Sequence, residues 1–150
     1  MSAAGTIRIA AAVILDHEGR MLVVRKSGTD SFMQPGGKLE PGESAAECLV
    51  RELDEELALV VAVDALEHLG RFSADAANEA GWAVDCDVFR VDALRRASLA
   101  QGAAGESARL VVQAELAEAR WCSRADLLEL ATNGILAPLT RDNLEVFLAG

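Results

Sequence analysis

Residues 44–57 have a helical pattern of apolar positions, and nothing in this stretch breaks a helix. The apolar residues recur every three or four positions, which places them on one side of a helix: Ala46, Leu49, Val50, Leu53 and Leu57. We therefore predict an amphipathic helix here, with that side buried against the rest of the protein.

Apolar runs rich in β-branched residues predict strands on both sides of this helix. Residues 7–15 and 21–25 are two such runs, and the polar turn between them, residues 16–19, ends in glycine. This arrangement predicts a β-hairpin. Further strands are expected in residues 59–69 and 82–91, and within residues 109–121.

Two more helices are predicted near the end of the chain. Ser123 is a suitable N-cap for a helix that runs through Leu130. Pro138 begins a last amphipathic helix that carries three apolar residues, Leu144, Phe147 and Leu148. The chain has no internal repeat or linker, and its 150 residues are the size of one ordinary domain. We therefore expect residues 1–150 to form a single domain.

The chain is acidic, with 24 Asp and Glu residues against 14 Lys and Arg residues and a formal net charge of -10. This charge repels nucleic acids and anionic membranes over most of the surface, so we expect neither as a partner. A small anionic molecule can bind only where local cations or a metal ion reverse the field. No window approaches the roughly 20 apolar residues that cross a bilayer.

The three cysteines, Cys48, Cys86 and Cys122, are far apart in the sequence and form no CxxC pair. Their spacing indicates neither a disulfide framework nor a structural zinc site. Because free thiols fit a reducing compartment, we expect a cytoplasmic protein.

Three carboxylates lie together on the predicted helix. At about 100° per residue, Glu52, Glu55 and Glu56 share an arc of roughly a hundred degrees at the edge of the buried face. Glu52 and Glu56 are a like-charge i,i+4 pair, which costs a helix about 0.2–0.5 kcal/mol unless something lies between them. A divalent cation would turn this repulsion into attraction.

The same helix also permits a simpler interpretation. Glu47, Arg51 and Glu55 form an i,i+4 ladder, and acidic helices with such ladders are usually solvated faces. This interpretation leaves Glu52 and Glu56 uncompensated. It also does not explain the loop just upstream, residues 35–42, which holds two prolines and three glycines.

The loop and helix together resemble the Nudix box, G-x5-E-x7-R-E-U-x-E-E-x-G-U, in which U is bulky and apolar. The chain matches it at Gly37, Glu43, Arg51, Glu52, Leu53, Glu55, Glu56 and Leu59. Ala58 stands where the family has a glycine that ends the helix, which affects the turn but none of the acids. Residues 32–38 and Trp121 followed by a helix are also similar to this family.

The resemblance implies an α/β fold with a mixed sheet between helices, and a metal-dependent hydrolase. It implies that Glu52, Glu55 and Glu56 bind Mg²⁺ or Mn²⁺, with the carbonyl oxygen of Gly37 as a further ligand. The chemistry agrees, because magnesium prefers carboxylates, water and substrate phosphates. A donor set without histidine or thiolate argues against zinc.

Arg51 is expected to orient a carboxylate towards the metal by pairing with Glu55 or Glu43. Glu43 itself suits the N-terminus of the helix, where the macrodipole favours an acid. The general base is open: it is Glu52, or a glutamate outside the box. Candidates outside it are Glu115 and Glu118, with Glu106 a weaker one, and each alone is more often a surface acid.

Arg25 and Lys38 are candidates to bind a substrate phosphate, although both could be ordinary surface cations. Cys48, with no histidine nearby in sequence, is interpreted as a small half-buried side chain rather than a nucleophile. Trp82 and Trp121 are expected in the core or at a sheet edge. We assign no site to either histidine.

By resemblance, the reaction is hydrolysis of a phosphoanhydride in a nucleoside diphosphate linked to another group. The chain has no proline in residues 60–81, where ADP-ribose-type members tend to have one, and no tyrosine at all. These absences favour a mutator-like enzyme acting on nucleoside triphosphates. A nucleotide-sugar or ADP-ribose-type pyrophosphatase is the alternative.

Two further alternatives belong to other classes of protein. A non-catalytic nucleotide-binding module would be expected to have lost box acids, and this chain retains them all. An isoprenoid diphosphate isomerase would need a reactive cysteine and a longer chain. A homodimer is common in the family, and the sequence neither requires nor forbids one.

Overall fold

The computed structural model describes residues 5–91, 112–113 and 115–149. Within these residues the strands are β1 (Gly5–Val13), β2 (Met21–Lys26), β3 (Phe32–Met33), β4 (Gly36–Lys38), β5 (Leu66–Asp75), β6 (Trp82–Val91) and β7 (Leu116–Cys122). The helices are α1 (Ala45–Leu57), a 3-10 turn (Val63–Ala65), α2 (Arg124–Thr132), α3 (Pro138–Asp142) and α4 (Leu144–Leu148). No helix in this part of the chain is long and apolar enough to cross a membrane.

The strands form two sheets. The four-stranded sheet has the order β4-β1-β6-β5, in which β1 and β6 are parallel and the other pairs antiparallel. The three-stranded sheet, β3-β2-β7, is antiparallel throughout. The parallel pair joins strands that are far apart in the sequence, running from Gly5 opposite Trp82 to Val13 opposite Arg90.

Two hydrophobic clusters lie on opposite faces of the strands, and both sheets contribute to each. Ala10, Ala12 and Leu22 pack with α1, whereas Ala11, Val13 and Met21 pack with α2, α3 and α4. Strands that are buried on both faces read as continuous apolar runs, which is why β1 and β2 lack alternation. This arrangement confirms the predicted mixed sheet between helices.

The predicted hairpin of residues 7–15 and 21–25 is wrong in its pairing. The polar turn is present, with Gly19 at a φ of 77°. However, β1 and β2 enter different sheets and meet only near the turn, where Leu15 bridges Met21 and the Leu22 amide donates to the Ile14 carbonyl. The two edges of β1 are instead occupied by β4 and β6, pairings that adjacency in the sequence does not reveal.

Other boundaries also differ from prediction. The strand expected at residues 59–69 begins only at Leu66, because the Leu59 amide closes the end of α1 on Leu53 and Val61 packs in the core before the 3-10 turn. The last helix is two short ones that meet at Asn143, whose side-chain amide donates to the Leu139 carbonyl at 2.8 Å. Such side-chain bonds to the main chain compete with a continuous helix.

Candidate active site

Helix α1 begins with a capping box that fixes its first turn. The hydroxyl of Ser44 accepts a hydrogen bond from the Glu47 amide at 3.1 Å, and the Glu47 carboxylate accepts one from the Ser44 amide at 2.9 Å. These bonds satisfy amides that have no partner inside the helix. The predicted helix is thereby confirmed, with its acid-bearing turns held in a defined position under β4.

The three box acids of α1 have very different environments. Glu56 is buried, with 6% of its surface exposed, and the side chain of Glu52 is 16% exposed. The side chain of Glu55 is 55% exposed. The helix therefore turns two of its acids inwards against β4 and leaves the third at the rim.

Two glycines of β4 allow these acids to approach the sheet. A Cβ atom on Gly37 would lie 2.4 Å from the carboxyl carbon of Glu52, so this carboxylate occupies the space of the missing side chain. The Gly36 amide donates to Glu56 at 3.3 Å. Gly36 has a φ of 152°, and a Cβ atom there would lie 2.0 Å from the Ala10 carbonyl oxygen. A larger side chain at Gly36 would therefore meet the main chain of β1, and one at Gly37 would displace the Glu52 carboxylate.

Arg51 connects four groups around the site. Its guanidinium donates to both carboxylate oxygens of Glu43 at 2.8 Å each and to Glu52 at 2.8 Å. Weaker contacts reach Glu55 at 3.4 Å and the Lys38 carbonyl at 3.2 Å. Arg51 thus contacts both acids that the sequence offered as partners, and Glu43 is the dominant one.

The contacts of Arg51 neutralise the charge of some acids and leave others without a positively charged partner. The hydrogen bonds from Arg51 lower the pKa of Glu43 to about 2. Burial, followed by the negative charge of Glu52, raises the pKa of Glu56 to about 7. Burial also raises the pKa of Glu52, although Arg51 opposes that shift. Glu56 therefore has oxygen donors without sufficient positive charge nearby.

This donor set fits a hard divalent cation. Among the described residues, no three His, Cys, Asp or Glu side chains already converge as a metal cage. The two inward acids nevertheless present only oxygen, and their raised pKa values show that added positive charge would stabilise them. Glu55 would have to turn in from the rim to join them.

The candidates outside the box are placed differently from one another. Arg25 faces Glu118 across β2 and β7 and donates to it at 2.9 Å, which lowers the pKa of Glu118. Glu115 lies in the turn before β7, and its charge contributes to the raised pKa of Glu56. Glu106 lies outside the described residues. Of these acids, Glu115 is the one whose charge acts on Glu56, and Glu118 is paired with Arg25.

A cleft leads from the protein surface to β4. Its walls include apolar side chains from several strands and from α3, among them Ile7, Ile9, Met33, Val84 and Leu139. Lys38 and Lys26 line it together with Gly36 and Gly37. A pocket with apolar walls and a few polar groups is typical of small-molecule sites.

Sequence reasoning missed Lys26. Lys26 is the last residue of β2. The register of β2 against β7 shifts between Arg25 and Lys26, which marks a β-bulge. Its positive charge acts on both Glu52 and Glu56, and no carboxylate of the described residues lies within 4.0 Å of its ammonium group. The adjacent Arg25 was the candidate instead, since a bulge that redirects a strand end leaves no signal in the sequence.

Cys48 is fully buried rather than half-buried, and it lies beneath strand β4. Its thiol donates to the carbonyl oxygens of Gly37 and Lys38 at 3.5 Å each, and burial raises its pKa to about 12. Such a thiol packs and does not react. Trp121 is partly buried against the α1 cluster, and Trp82 covers Gly5 at the end of the four-stranded sheet.

Comparison with solved structures shows what this fold is similar to. The Escherichia coli ORF135 protein is 27% identical, with a TM-score of 0.63 over 97% of this chain and 90% of that one. A MutT protein from Methanosarcina mazei Go1 is 23% identical, with a TM-score of 0.68 over 95% and 93%.

A third structure is a bifunctional NMN adenylyltransferase/ADP ribose pyrophosphatase from Francisella tularensis, complexed with AMP and a Mn ion. It is 15% identical, with a TM-score of 0.63 over 95% of this chain and 41% of that one. A comparison with curated proteins gives no match.

The sequence profile of the NUDIX domain matches residues 5–142, which is most of the chain. The matched residues include β4, the acid-bearing helix α1 and the residues that line the cleft. Nudix hydrolases act on derivatives of nucleoside diphosphates and generally use a divalent metal ion. The chain therefore belongs to the NUDIX domain family and is a Nudix hydrolase, a pyrophosphohydrolase of small nucleotide substrates.

Proposed function

We propose that this enzyme is a nucleoside triphosphate pyrophosphohydrolase, which converts its substrate to a nucleoside monophosphate and pyrophosphate. The observation that carries the proposal is a cleft lined by Gly36 and Gly37, the two glycines against which Glu56 and Glu52 lie. Two lysines, Lys26 and Lys38, line the same cleft. A nucleoside held between its apolar walls would direct its phosphates towards Glu52 and Glu56.

The box acids would hold the metal ion, for which we propose Mg²⁺ or, in its place, Mn²⁺. The ligands would be Glu52, Glu55 and Glu56, with the Gly37 carbonyl as a further oxygen. When bound, the ion supplies charge neutralisation for the phosphates and acidifies a water molecule. The chain contributes the shape of the site, because the acids can lie against β4 only where glycine leaves room.

Lysines would bind the phosphate chain. Lys26 is the stronger candidate, because it lines the cleft and its charge acts on both inward acids. Lys38 lines the same cleft from β4 and is exposed. Arg25, which donates to Glu118 and to the Thr29 carbonyl, would instead hold the end of β2 in place.

We assign the proton-accepting role to Glu115. Water attacks a phosphorus atom of the anhydride, its proton passes to the Glu115 carboxylate, and the leaving phosphate oxygen takes the electrons of the broken P–O bond. Glu118 is less suitable because Arg25 and Arg120 both pair with it. Glu52 is held by Arg51 at 2.8 Å, which suits a ligand better than a base.

Arg51 would act through the acids rather than on the substrate. Its bidentate pair with Glu43 fixes the guanidinium, and its remaining nitrogen contacts then orient Glu52. Groups of this kind keep metal-binding carboxylates in position. We further propose that the chain acts as one catalytic domain, since both sheets contribute to each hydrophobic cluster.

A substrate panel tests this function. Purified protein is incubated with nucleoside triphosphates, nucleotide sugars and ADP-ribose, in Mg²⁺ and then in EDTA, and the products are separated by anion exchange. We expect monophosphate and pyrophosphate from a triphosphate, in Mg²⁺ alone. Glu56→Gln should remove most of this activity, whereas Glu47→Gln, an exposed acid on the same helix, should retain it.

Two results would change the assignment. Faster turnover of a nucleotide sugar or of ADP-ribose would replace the triphosphate with that substrate class. Tight nucleotide binding without turnover, or turnover that EDTA leaves intact, would contradict the proposed function.

A further inference from the structure

Gln113, outside the Nudix box, clamps the end of α1 to the segment before β7. Its main-chain amide donates to the Glu56 carbonyl at 3.0 Å, and its side-chain amide donates to the Asp54 carbonyl at 2.8 Å. The Glu56 carbonyl is one of the last carbonyls of the helix, which have no partner inside it, so Gln113 satisfies this group. The Asp54 carbonyl also accepts from the Ala58 amide at 3.0 Å, and Gln113 adds a second hydrogen bond there. The clamp therefore joins the turn of α1 that carries Glu56 to a distant part of the chain.

Main-chain hydrogen bonds on both sides fix the position of Glu115. The Leu116 amide donates to the Gln113 carbonyl at 3.3 Å. The Ser27 amide donates to the Glu115 carbonyl at 2.8 Å. Glu115 is thus held between the clamp on α1 and the residue that follows Lys26 at the end of β2.

These hydrogen bonds place Glu115 near the end of α1. Gln113, two residues before Glu115, is bonded to the Glu56 carbonyl, and Ser27, which is bonded to Glu115, follows Lys26. Glu115 is itself exposed and belongs to a turn rather than to a regular element. Without these hydrogen bonds, an exposed glutamate in a turn would not be confined to a position near α1.

We propose that Gln113 is a positioning residue, which holds Glu115 near Glu56 through its two hydrogen bonds to the last turn of α1. The proposal rests on the proposed function, in which Glu115 accepts the proton of the attacking water. Gln113 touches neither substrate nor metal in this proposal. It acts by limiting where Glu115 can lie.

A double-mutant cycle tests the proposal through activity. Gln113→Ala should lower kcat by about tenfold with KM within about twofold of wild type, because substrate contacts are unchanged. In the Glu115→Gln background the same change should have no further effect, since the group that it positions is already lost. Ser123→Ala, which removes a distant helix cap, serves as the control for lost stability and should leave kcat unchanged.

Amide hydrogen exchange at Ser27 gives a readout that does not need turnover. This amide is bonded to the Glu115 carbonyl, so its exchange should accelerate about tenfold or more in Gln113→Ala and stay unchanged in Ser123→Ala. If the wild type turns over no nucleotide, the proposed function fails while this comparison still tests the clamp.

Three results would overturn the proposal. The first is that Gln113→Ala lowers kcat by the same factor in the Glu115→Gln background as in the wild type. The second is an effect on KM alone. The third is Ser27 exchange that is the same in Gln113→Ala and wild type.

Discussion

The carboxyl group of Glu52 lies against the α-carbon of Gly37, where a Cβ atom would be 2.4 Å from the carboxyl carbon. Gly37→Ala must therefore displace Glu52 from the site. Because small displacements of catalytic groups cost about 100-fold in rate, we expect a loss of roughly that size in kcat/KM. The measurement is steady-state hydrolysis of the best substrate, together with urea unfolding to show that the variant folds.

Gly134→Ala is the matched control. Gly134 has a φ of 74°, and a Cβ atom there would meet nothing within 4 Å. Gly134→Ala therefore lowers the free energy of unfolding by about 1 kcal/mol through backbone strain, but it moves no acid of the site. Its kcat/KM should stay close to that of the wild type. Equal activity in the two variants would show that the contact between Gly37 and Glu52 has no catalytic importance.

Arg51 cannot be replaced by lysine without loss, because lysine cannot donate two parallel hydrogen bonds to Glu43. We expect Arg51→Lys to lower kcat/KM by about 10–100-fold, as removal of a group that orients metal ligands usually does. The control is Arg124→Lys, at an exposed pair with Glu145 that water and salt screen. Wild-type kinetics in Arg51→Lys would mean that Glu52 needs no orienting partner.

The stability of the metal-free protein should depend on pH through Glu56. Its pKa is raised from 4.5 to about 7 in the folded protein, so the folded state binds the proton more tightly than the unfolded state does. The contribution of Glu56 to the free energy of unfolding is fully present below about pH 4.5. It is lost as the pH rises through about 7, and the total loss is at most about 3 kcal/mol.

The measurement is the free energy of unfolding in EDTA from pH 5 to pH 8, for the wild type and Glu56→Gln. Glutamine cannot ionise, so the variant should become the more stable of the two as the pH rises. A stability difference that does not change over this range would contradict the buried, uncompensated state of Glu56.

Ala58 ends α1 with a φ of 53°, in the left-handed region where the Nudix box has glycine. Ala58→Gly should raise the free energy of unfolding by about 1 kcal/mol, because glycine removes the strain of the Cβ atom. Activity should stay within about twofold of wild type, since no acid moves.

Ala62→Gly is the control for this change. Ala62 has a φ of -91°, so glycine there relieves no strain and only adds freedom to the unfolded chain. It should destabilise the protein. Stabilisation by both changes, or by neither, would show that the turn at Ala58 is not strained.

The acid-bearing helix could be predicted from the sequence because its information is local. Apolar spacing fixes the buried face of α1, and the same spacing places Glu52 and Glu56 at its edge. The Ser123 cap of α2 was predicted for the same reason and is confirmed by its bond from the Asp126 amide.

What could not be predicted depends on contacts between distant parts of the chain. β1 pairs with β6 rather than with β2, a choice that local turn chemistry cannot reveal. Lys26 is placed by a bulge against β7, and the pairing of Glu118 with Arg25 by the register of the same two strands. The burial of Glu56 depends equally on β4, which lies outside its own helix.

Manganese binding tests the central claim most directly, namely that the inward acids of α1 hold a divalent cation. The measurement is an electron paramagnetic resonance titration of Mn²⁺ into the wild type, Glu52→Gln, Glu56→Gln and the control Glu47→Gln. We expect the two inward substitutions to weaken Mn²⁺ binding by about tenfold or more, and the control to bind like the wild type. Equal affinity in all four proteins would contradict a metal site on this helix.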